Sequence, residues 1–272
     1  DDYDYVDRRR ATLSLTRVIS SVNVGLASLQ AGVATDRPER ARLSHGLFTG
    51  STKFRPNRGL AAGDYILAAA DLEIHPNVSG DFVQPGVGAR AHYEAATGEI
   101  DWQRLELAIS ARRYWGPVSV AAHVDGGIVS SDRPPPQTLF EMGGNELLPG
   151  YEYKQFAGDR AALFRSFANY QFPIWRRPLH VWRSYYIPGL SPGIVISAQG
   201  GWTELSSLGA RQAASQLSTD SRTITVSEAT HGVRATVGAG FGLFSNLVHV
   251  GLARPVDRAA SWRLVGGFGA TF

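Results

Sequence analysis

Cysteine is missing from all 272 residues, and the chain holds one methionine and two lysines, Lys53 and Lys154. No disulfide can form, and the lack of thiols suits an envelope location. No run of about 18 apolar residues occurs, so the sequence offers no membrane-crossing helix. The mean hydropathy of -0.13 is not that of a helical membrane protein. Charge is sparse, with 19% Asp, Glu, Lys and Arg, and the formal balance of +3 is carried mostly by arginine. That excess is too small at this length to argue for nucleic acid. The first residues, DDYDYVDRRR, contain neither a basic n-region nor an apolar h-region. The expectation is that a signal peptide has been removed or that this is the C-terminal part of a longer protein. G-x-S-x-G, HExxH and paired-His spacings are all missing, which leaves no esterase elbow and no zinc-protease helix. Ser245 and His249 share a strand face, but residues four apart on a strand stand about 13 Å apart and cannot touch. The run Gly238, Gly240, Gly242 precedes no helix, so it is read as close packing or curvature of a strand, not a phosphate loop.

What is present is period-two alternation. Ile66, Ala68, Ala70, Leu72 and Ile74 form one face of a segment whose other face holds Asp71 and Glu73. Val87, Ala89, Ala91 and Tyr93 oppose Arg90 and His92. Leu105, Leu107, Ile109 and Ala111 oppose Arg104, Glu106, Ser110 and Arg112, and Val118, Val120, Ala122 and Val124 oppose Ser119 and His123. Successive side chains of a strand point to opposite faces, so each segment is a strand with one apolar and one polar side. Two more strands are predicted within 12–29, with a turn near Ser20 and Ser21. Residues 1–10 read as a surface tail or the polar end of the first strand. The stretch 37–63 is looser, with ARLSHGLFTG a candidate strand and the rest a loop. Five strands are predicted at 161–172, 191–203, 229–242, 245–253 and 260–272. The stretch 210–228 reads as a long surface loop or an extra hairpin, and 176–186 is aromatic and basic.

Eleven or twelve strands of this kind, with 30 glycines, predict an all-β, membrane-spanning antiparallel β-barrel in one domain over 1–272. Such barrels escape hydropathy scans because lipid-facing and lumen-facing residues alternate. Short turns at one end and long connections at the other fit that class. Trp102, Trp115, Trp175, Trp182, Trp202 and Trp262 fall near predicted strand ends, as an interfacial girdle requires. The alternative is a soluble β-sandwich with Trp in its turns. The polar set Asp71, Glu73, Arg90, His92, Arg104, Glu106, Arg112 and His123 then faces the lumen on four consecutive strands. It reads as a salt-bridge network, with a metal or acid–base site as the alternative. No metal and no cofactor are expected.

The stretch 139–172 organises the rest. Gly143 and Gly144, then Pro149, Gly150 and Tyr151, then Gly158 and Asp159 forbid a helix and permit tight turns. Tyr151, Tyr153 and Phe156 are too apolar for a solvated loop, and a barrel interior would accept them. In the BamA-like bacterial surface antigen superfamily, a long loop runs aromatic-x-x-Gly-Gly, Arg-Gly-Phe/Tyr, Gly-Asp/Asn, then a strand ending aromatic-Pro. Phe140, Gly143, Gly144, Gly150, Tyr151, Gly158, Asp159, Phe172 and Pro173 resemble that pattern in order and spacing.

The resemblance implies a barrel of up to sixteen strands with five after an in-folded loop. It implies a place in the bacterial outer membrane, in outer-membrane protein assembly or protein translocation. A structural or anchoring subunit with a plugged lumen, or a small channel, is the alternative. Lipid, the insertion machinery and partner protein chains are the implied partners. In the family an Arg of the loop locks onto an acidic residue of a wall strand. Here that place holds Pro149, and the facing strand offers Ala198 or Gln199. An unpaired buried charge is costly, so losing both partners together is coherent. The final strand ends on Phe272, with Gly267 and Phe268 before it, and resembles the signal read by the insertion machinery. The other reading is an ordinary last strand. No POTRA-like domain and no enzyme are expected.

Overall fold

The computed structural model describes residues 6–20, 25–39, 58–79, 84–144, 147–175, 177–182, 185–187, 189–217, 227–244 and 248–268. The alternating segments become the strands β1 (Val6–Ser20), β2 (Gly25–Pro38), β3 (Gly63–Ile74), β4 (Gly86–Gly98), β5 (Trp102–Trp115) and β6 (Val118–Ser130). The short strands β7 (Phe140–Met142) and β8 (Phe156–Gly158) lead to β9 (Arg160–Gln171). The short β10 (Leu179–Trp182) and β11 (Tyr185–Ile187) then precede β12 (Gly193–Glu204), β13 (Arg234–Leu243), β14 (Val248–Pro255) and β15 (Arg263–Phe268). Helix α1 (Pro76–Ser79) links β3 to β4, and α2 (Leu208–Gln216) lies between β12 and β13.

Eleven strands form one sheet in the order β1-β2-β3-β4-β5-β6-β9-β12-β13-β14-β15. Each is antiparallel to its neighbours. Pairs β7–β8 and β10–β11 are separate two-stranded sheets. Five wall strands follow the long loop, as the sequence pattern predicts. Alternation sets the two faces. Leu15, Ile66, Leu107, Ile109, Ile196 and Leu264 point outward and are exposed. Exposed apolar surface on this scale marks a membrane or partner face rather than a water-facing one.

The inner face carries the core. Tyr65, Leu67, Ala96, Trp102 and Val129 pack together with Phe140 against them. The loop residues Met142, Leu148, Tyr151 and Phe156 pack on Ala161 and Leu163 of β9. The loop also touches both flanks of the sheet, since Gln137 reaches Asp36 of β2 and Tyr151 reaches Asp257 beyond β14. The sheet therefore curls around the loop.

Several boundaries differ from the expectation. β1 begins at Val6, so part of the supposed tail belongs to the wall, and β2 runs to Pro38 instead of ending at residue 29. The reason is Asp36: fully buried, it accepts two hydrogen bonds of 2.7 Å from Arg8, which carries the pairing into the charged ends. The stretch 210–228 is predicted as a loop or hairpin, whereas residues 210–216 belong to helix α2, and Glu228 bridges Phe156 of β8. Ser207 caps that helix by accepting from Ala210 N–H at 3.0 Å. Its Ala213 and Ala214 bury against Leu139 and Ala157 of the loop.

The expected asymmetry of the two ends is incomplete: the end that carries the short β5–β6 turn also carries the connection 172–192 with the β10–β11 hairpin and the β3–β4 connection with α1, and the opposite end has the short β4–β5 turn. Trp102 is 3% exposed and faces inward, stacking edge-on with Tyr65 at 4.8 Å, so it is not part of an outer girdle. Trp115, Trp175 and Trp262 are exposed. The candidate strand ARLSHGLFTG lies outside the described residues.

Candidate functional site: the in-folded loop and the inner wall

The connection between β6 and β9 folds back on itself because its glycines take conformations that other residues resist. Gly143, Gly144 and Gly150 have φ of 118°, 103° and 101°. A Cβ on Gly143 would stand 2.2 Å from the Glu152 carbonyl, and one on Gly150 would stand 2.7 Å from Pro255. The chain thus turns at Gly143 (whose N–H donates to Leu147 O at 3.0 Å) and returns so that β7 pairs with β8. Two wall glycines make the seat. At Gly127 a Cβ would meet the Phe140 ring at 2.3 Å, and at Gly201 it would meet Leu148 at 2.7 Å and Met142 at 2.9 Å. Gly158 is needed because Glu204 lies 2.5 Å from where its Cβ would be. Buried Asp159 then accepts from Ser206 N–H at 2.7 Å and from the Ser206 hydroxyl, tying the loop's exit to the cap of α2.

The tip is held by a backbone contact to the wall. Pro149 stands in the tip, and the preceding Leu148 N–H donates to Gln199 Oε1 at 2.9 Å, with Leu148 fully buried. Gln199 faces inward and Ala198 outward. A neutral backbone-to-amide bond therefore joins the tip to β12.

Charges hold the tip from the side. The Tyr151 hydroxyl donates to Asp257, which also accepts from Arg234 at 2.6 Å. Arg258 lies 4.6 Å over the Tyr151 ring, and Tyr151 packs edge-on to fully buried Phe156 at 5.1 Å. Arg263 of β15 donates to Glu152. On the other side Glu141 accepts from Arg58 at 2.9 Å and pairs with Lys154 at 2.9 Å. Burial opposes ionisation of Asp257, but the hydrogen bonds from Tyr151 and Arg234 outweigh it and hold this carboxyl below its ordinary range. The Arg263 hydrogen bond holds Glu152 below its own. Burial, reinforced by Asp257, pushes the Tyr151 phenol up, so it stays a donor.

The inward set divides into three groups. Asp71 accepts from His92 Nδ1 at 2.6 Å and from the Ser28 hydroxyl at 3.2 Å, and Arg90 stands 3.6 Å from Asp71 and 3.5 Å from Glu73. Arg104 pairs with Glu106 at 2.6 Å, donates to the loop carbonyl of Thr138 at 3.0 Å and covers the Phe140 ring at 4.4 Å. His123 links Ser110 on one side to Asp125 at 2.7 Å on the other, while Arg165 reaches Asp125 at 3.3 Å. Arg112 turns toward Tyr114 and lies 5.3 Å from the Phe167 ring centre. Arg90, His92, Arg104, Glu106, Asp125 and Arg165 line a cavity of about 560 Å³ between wall and loop, with Glu141 and Lys154 on its loop side.

The Ser110–His123–Asp125 chain has the composition of a hydrolase triad. Ser110 is 0% exposed, however, and lies outside the walls of that cavity, so no acyl group can reach its oxygen. Its row is explained by register, because Ser110, His123, Arg165 and Gln199 stand side by side on β5, β6, β9 and β12. Sequence reading missed Ser110 as a partner of His123, since it tested only Ser–His pairs on one strand. It also missed Asp125 and Arg165, although both keep the inward parity of their strands. Among the described residues no group of three His, Asp and Glu is placed to hold a metal ion. Gly267 lies in β15 beside His249, Phe268 is its last residue, and Phe272 lies outside the described residues.

An up-and-down antiparallel wall, apolar outside and polar inside, with a long connection packed into its hollow, is the construction of an outer-membrane-type β-barrel. Two solved structures share it. The crystal structure of BamA from Haemophilus ducreyi lacking POTRA domains 1-3 matches 96% of this chain and 54% of its own, with a TM-score of 0.60 at 10% identity. CdiB from Acinetobacter baumannii matches 96% of this chain and 41% of its own, with a TM-score of 0.54 at 11% identity. The fold is therefore that of a BamA-like barrel, and the chain spans about half the length of these structures or less. No family model and no curated protein matches the sequence.

Proposed function

We propose that this chain is a single domain of a bacterial outer-membrane β-barrel that acts in outer-membrane protein assembly or protein translocation. The observation that carries this reading is the loop 131–159, seated in the hollow of a BamA-like wall on Gly127 and Gly201 and bonded to Gln199. In this reading the outward apolar face meets lipid. The last strand, through Gly267, Phe268 and Phe272, serves as the signal for the insertion machinery. The lumen residues Asp71, Glu73, Arg90, His92, Arg104, Glu106, Arg112 and His123 hold wall and loop together and perform no reaction.

Depletion of the protein in its own cells tests this. Loss of folded, heat-modifiable outer-membrane proteins or of a secreted protein supports the proposal, and unchanged levels of both overturn it. The neutral Gln199 contact, with Glu141, Glu152 and Asp257 clasping the loop, favours a second reading. Here the barrel is an anchoring subunit with a plugged lumen. Stable partner chains retained through mild-detergent purification, together with unaffected assembly on depletion, select it.

A further inference from the structure

The end of the wall opposite the in-folded loop is one-sided in charge. Residues 107–124, 160–203 and 229–256 are the passages that reach it between β5 and β14, and none contains Asp or Glu. The connection 172–192 carries three arginines and a histidine instead. At the loop end arginines meet carboxylates, Arg8 with Asp36, Arg160 with Glu204 and Arg234 with Asp257. At the far end the partner of an arginine is an aromatic ring. Arg113 faces outward two residues inside Trp115, beside Val120, and its guanidinium lies 5.1 Å over the Trp115 ring. A cation that starts among apolar side chains and bends toward the strand end is snorkelling to a polar layer. Trp115, Tyr170, Ile194, Phe241 and Val250 share one outward row across the paired strands. From that row the surface runs on into the connection. Gln171 N–H donates to Pro117 O at 2.9 Å, and Phe172 packs edge-on to Tyr170 at 5.4 Å. Beyond it Trp175, Arg177, His180, Tyr185 and Tyr186 are all exposed. The β10–β11 hairpin has a defined stem. Phe172 N–H donates to Pro192 O at 2.9 Å, Ser191 N–H to Trp175 O at 3.2 Å, and Phe244 N–H to Leu190 O. Trp175, Ser191 and Phe244 have φ of 51°, 38° and 53°, a left-handed conformation that residues other than glycine resist.

We propose that the β10–β11 hairpin and the Arg113–Trp115 corner form a docking surface for the headgroups of an anionic glycerophospholipid such as phosphatidylglycerol. This rests on the membrane-spanning reading above and not on the assembly role. Charge selects the ligand, because guanidinium groups on passages without a carboxylate are matched by phosphate oxygens. Composition sets the depth, since Trp and Tyr favour the level between hydrocarbon and water. Continuity selects lipid over a protein partner, because the row of Trp115 and Tyr170 joins the outward apolar wall to the hairpin without a break.

The sequence holds no cysteine, so Tyr185→Cys carries a single spin label in the intact protein. The labelled protein is placed in nanodiscs of phosphatidylcholine alone or of phosphatidylcholine with phosphatidylglycerol. Electron paramagnetic resonance then reads how far a water-soluble nickel chelate reaches the label. The expected result is shielding in the phosphatidylglycerol discs and exposure in the neutral ones, with the shielding weakened by salt. Arg177→Ala should lower the ratio of shielded to exposed label about fivefold, and Arg177→Lys should keep it. A label that is equally open, or equally shielded, in the two lipids overturns the proposal. Shielding that appears only in native membranes also overturns it and assigns the hairpin to a protein partner. A label at Ile66→Cys, on the outward apolar face, is measured in parallel. Exposure at Ile66 defeats the membrane reading itself, whereas shielding there with an open label at Tyr185 defeats the docking surface alone.

Discussion

Gln199 carries a contact that no charge could carry as cheaply. Its side-chain oxygen satisfies the buried Leu148 N–H, and replacing it by Leu leaves that donor without a partner at a cost of about 1–3 kcal/mol. The expected outcome for Gln199→Leu is faster hydrogen exchange across 147–156 with the wall strands unchanged. Asp257 and Glu152 give the loop a pH response whose sign follows from their depressed carboxyls. A group with a folded pKa below its unfolded value adds stability above the unfolded pKa and loses it as pH falls through the folded one. The clasp is therefore complete at neutral pH and weakens progressively below about pH 4, where free carboxylates begin to protonate. Exchange of the Tyr151 and Gln155 amides, corrected for the intrinsic effect of pH, should rise over that range. In Asp257→Asn the rise should be smaller and the exchange at neutral pH faster.

Among the elements, helix α2 is the one that depends most on its surroundings. A nine-residue helix is too short to persist alone. It holds because Ser207 caps it, Ala210 is buried, and Ala213 and Ala214 pack against Leu139 and Ala157 of the loop. Ser207→Ala should cost about 1 kcal/mol and fray its first turn. Ala214→Glu, which buries a charge against Ala157, should release helix and loop together. Protease cleavage within 139–158 is the readout, and cleavage unchanged from the wild type would show that the two elements are independent. The sequence pattern concealed this helix, since its Ser, Gln and Ala residues form no apolar stripe and its buried face consists of alanines alone.

At the scale of the whole molecule, the loop is the filling of the hollow. Leu148 and Phe156 are fully buried in it, each contributing about 1.5–3 kcal/mol of apolar burial. Removal of residues 143–155 should therefore open a conducting path in planar bilayers where the intact protein passes little current. Equal conductance in the two would mean that the loop does not block the lumen. The experiment also bears on the channel reading, in which the intact protein already conducts.

Alternation by itself determined the class of fold, the identity of the outward and inward faces and the five strands after the loop. Side-chain direction in a strand depends only on parity, and parity is written in the local sequence. The seven glycine, proline, tyrosine and aspartate positions of the loop were legible too, because a turn requires particular residues at particular places. What touches what was decided by register and by loop docking, which are long-range. Asp36 meets Arg8 across 28 residues, Tyr151 meets Asp257 across 106, and Ser110 meets His123 only because β5 and β6 pair in one register and no other. A shift of one residue would send each of these side chains to the opposite face. Sequence could mark them as polar and inward-facing, but only the paired strands could make them partners.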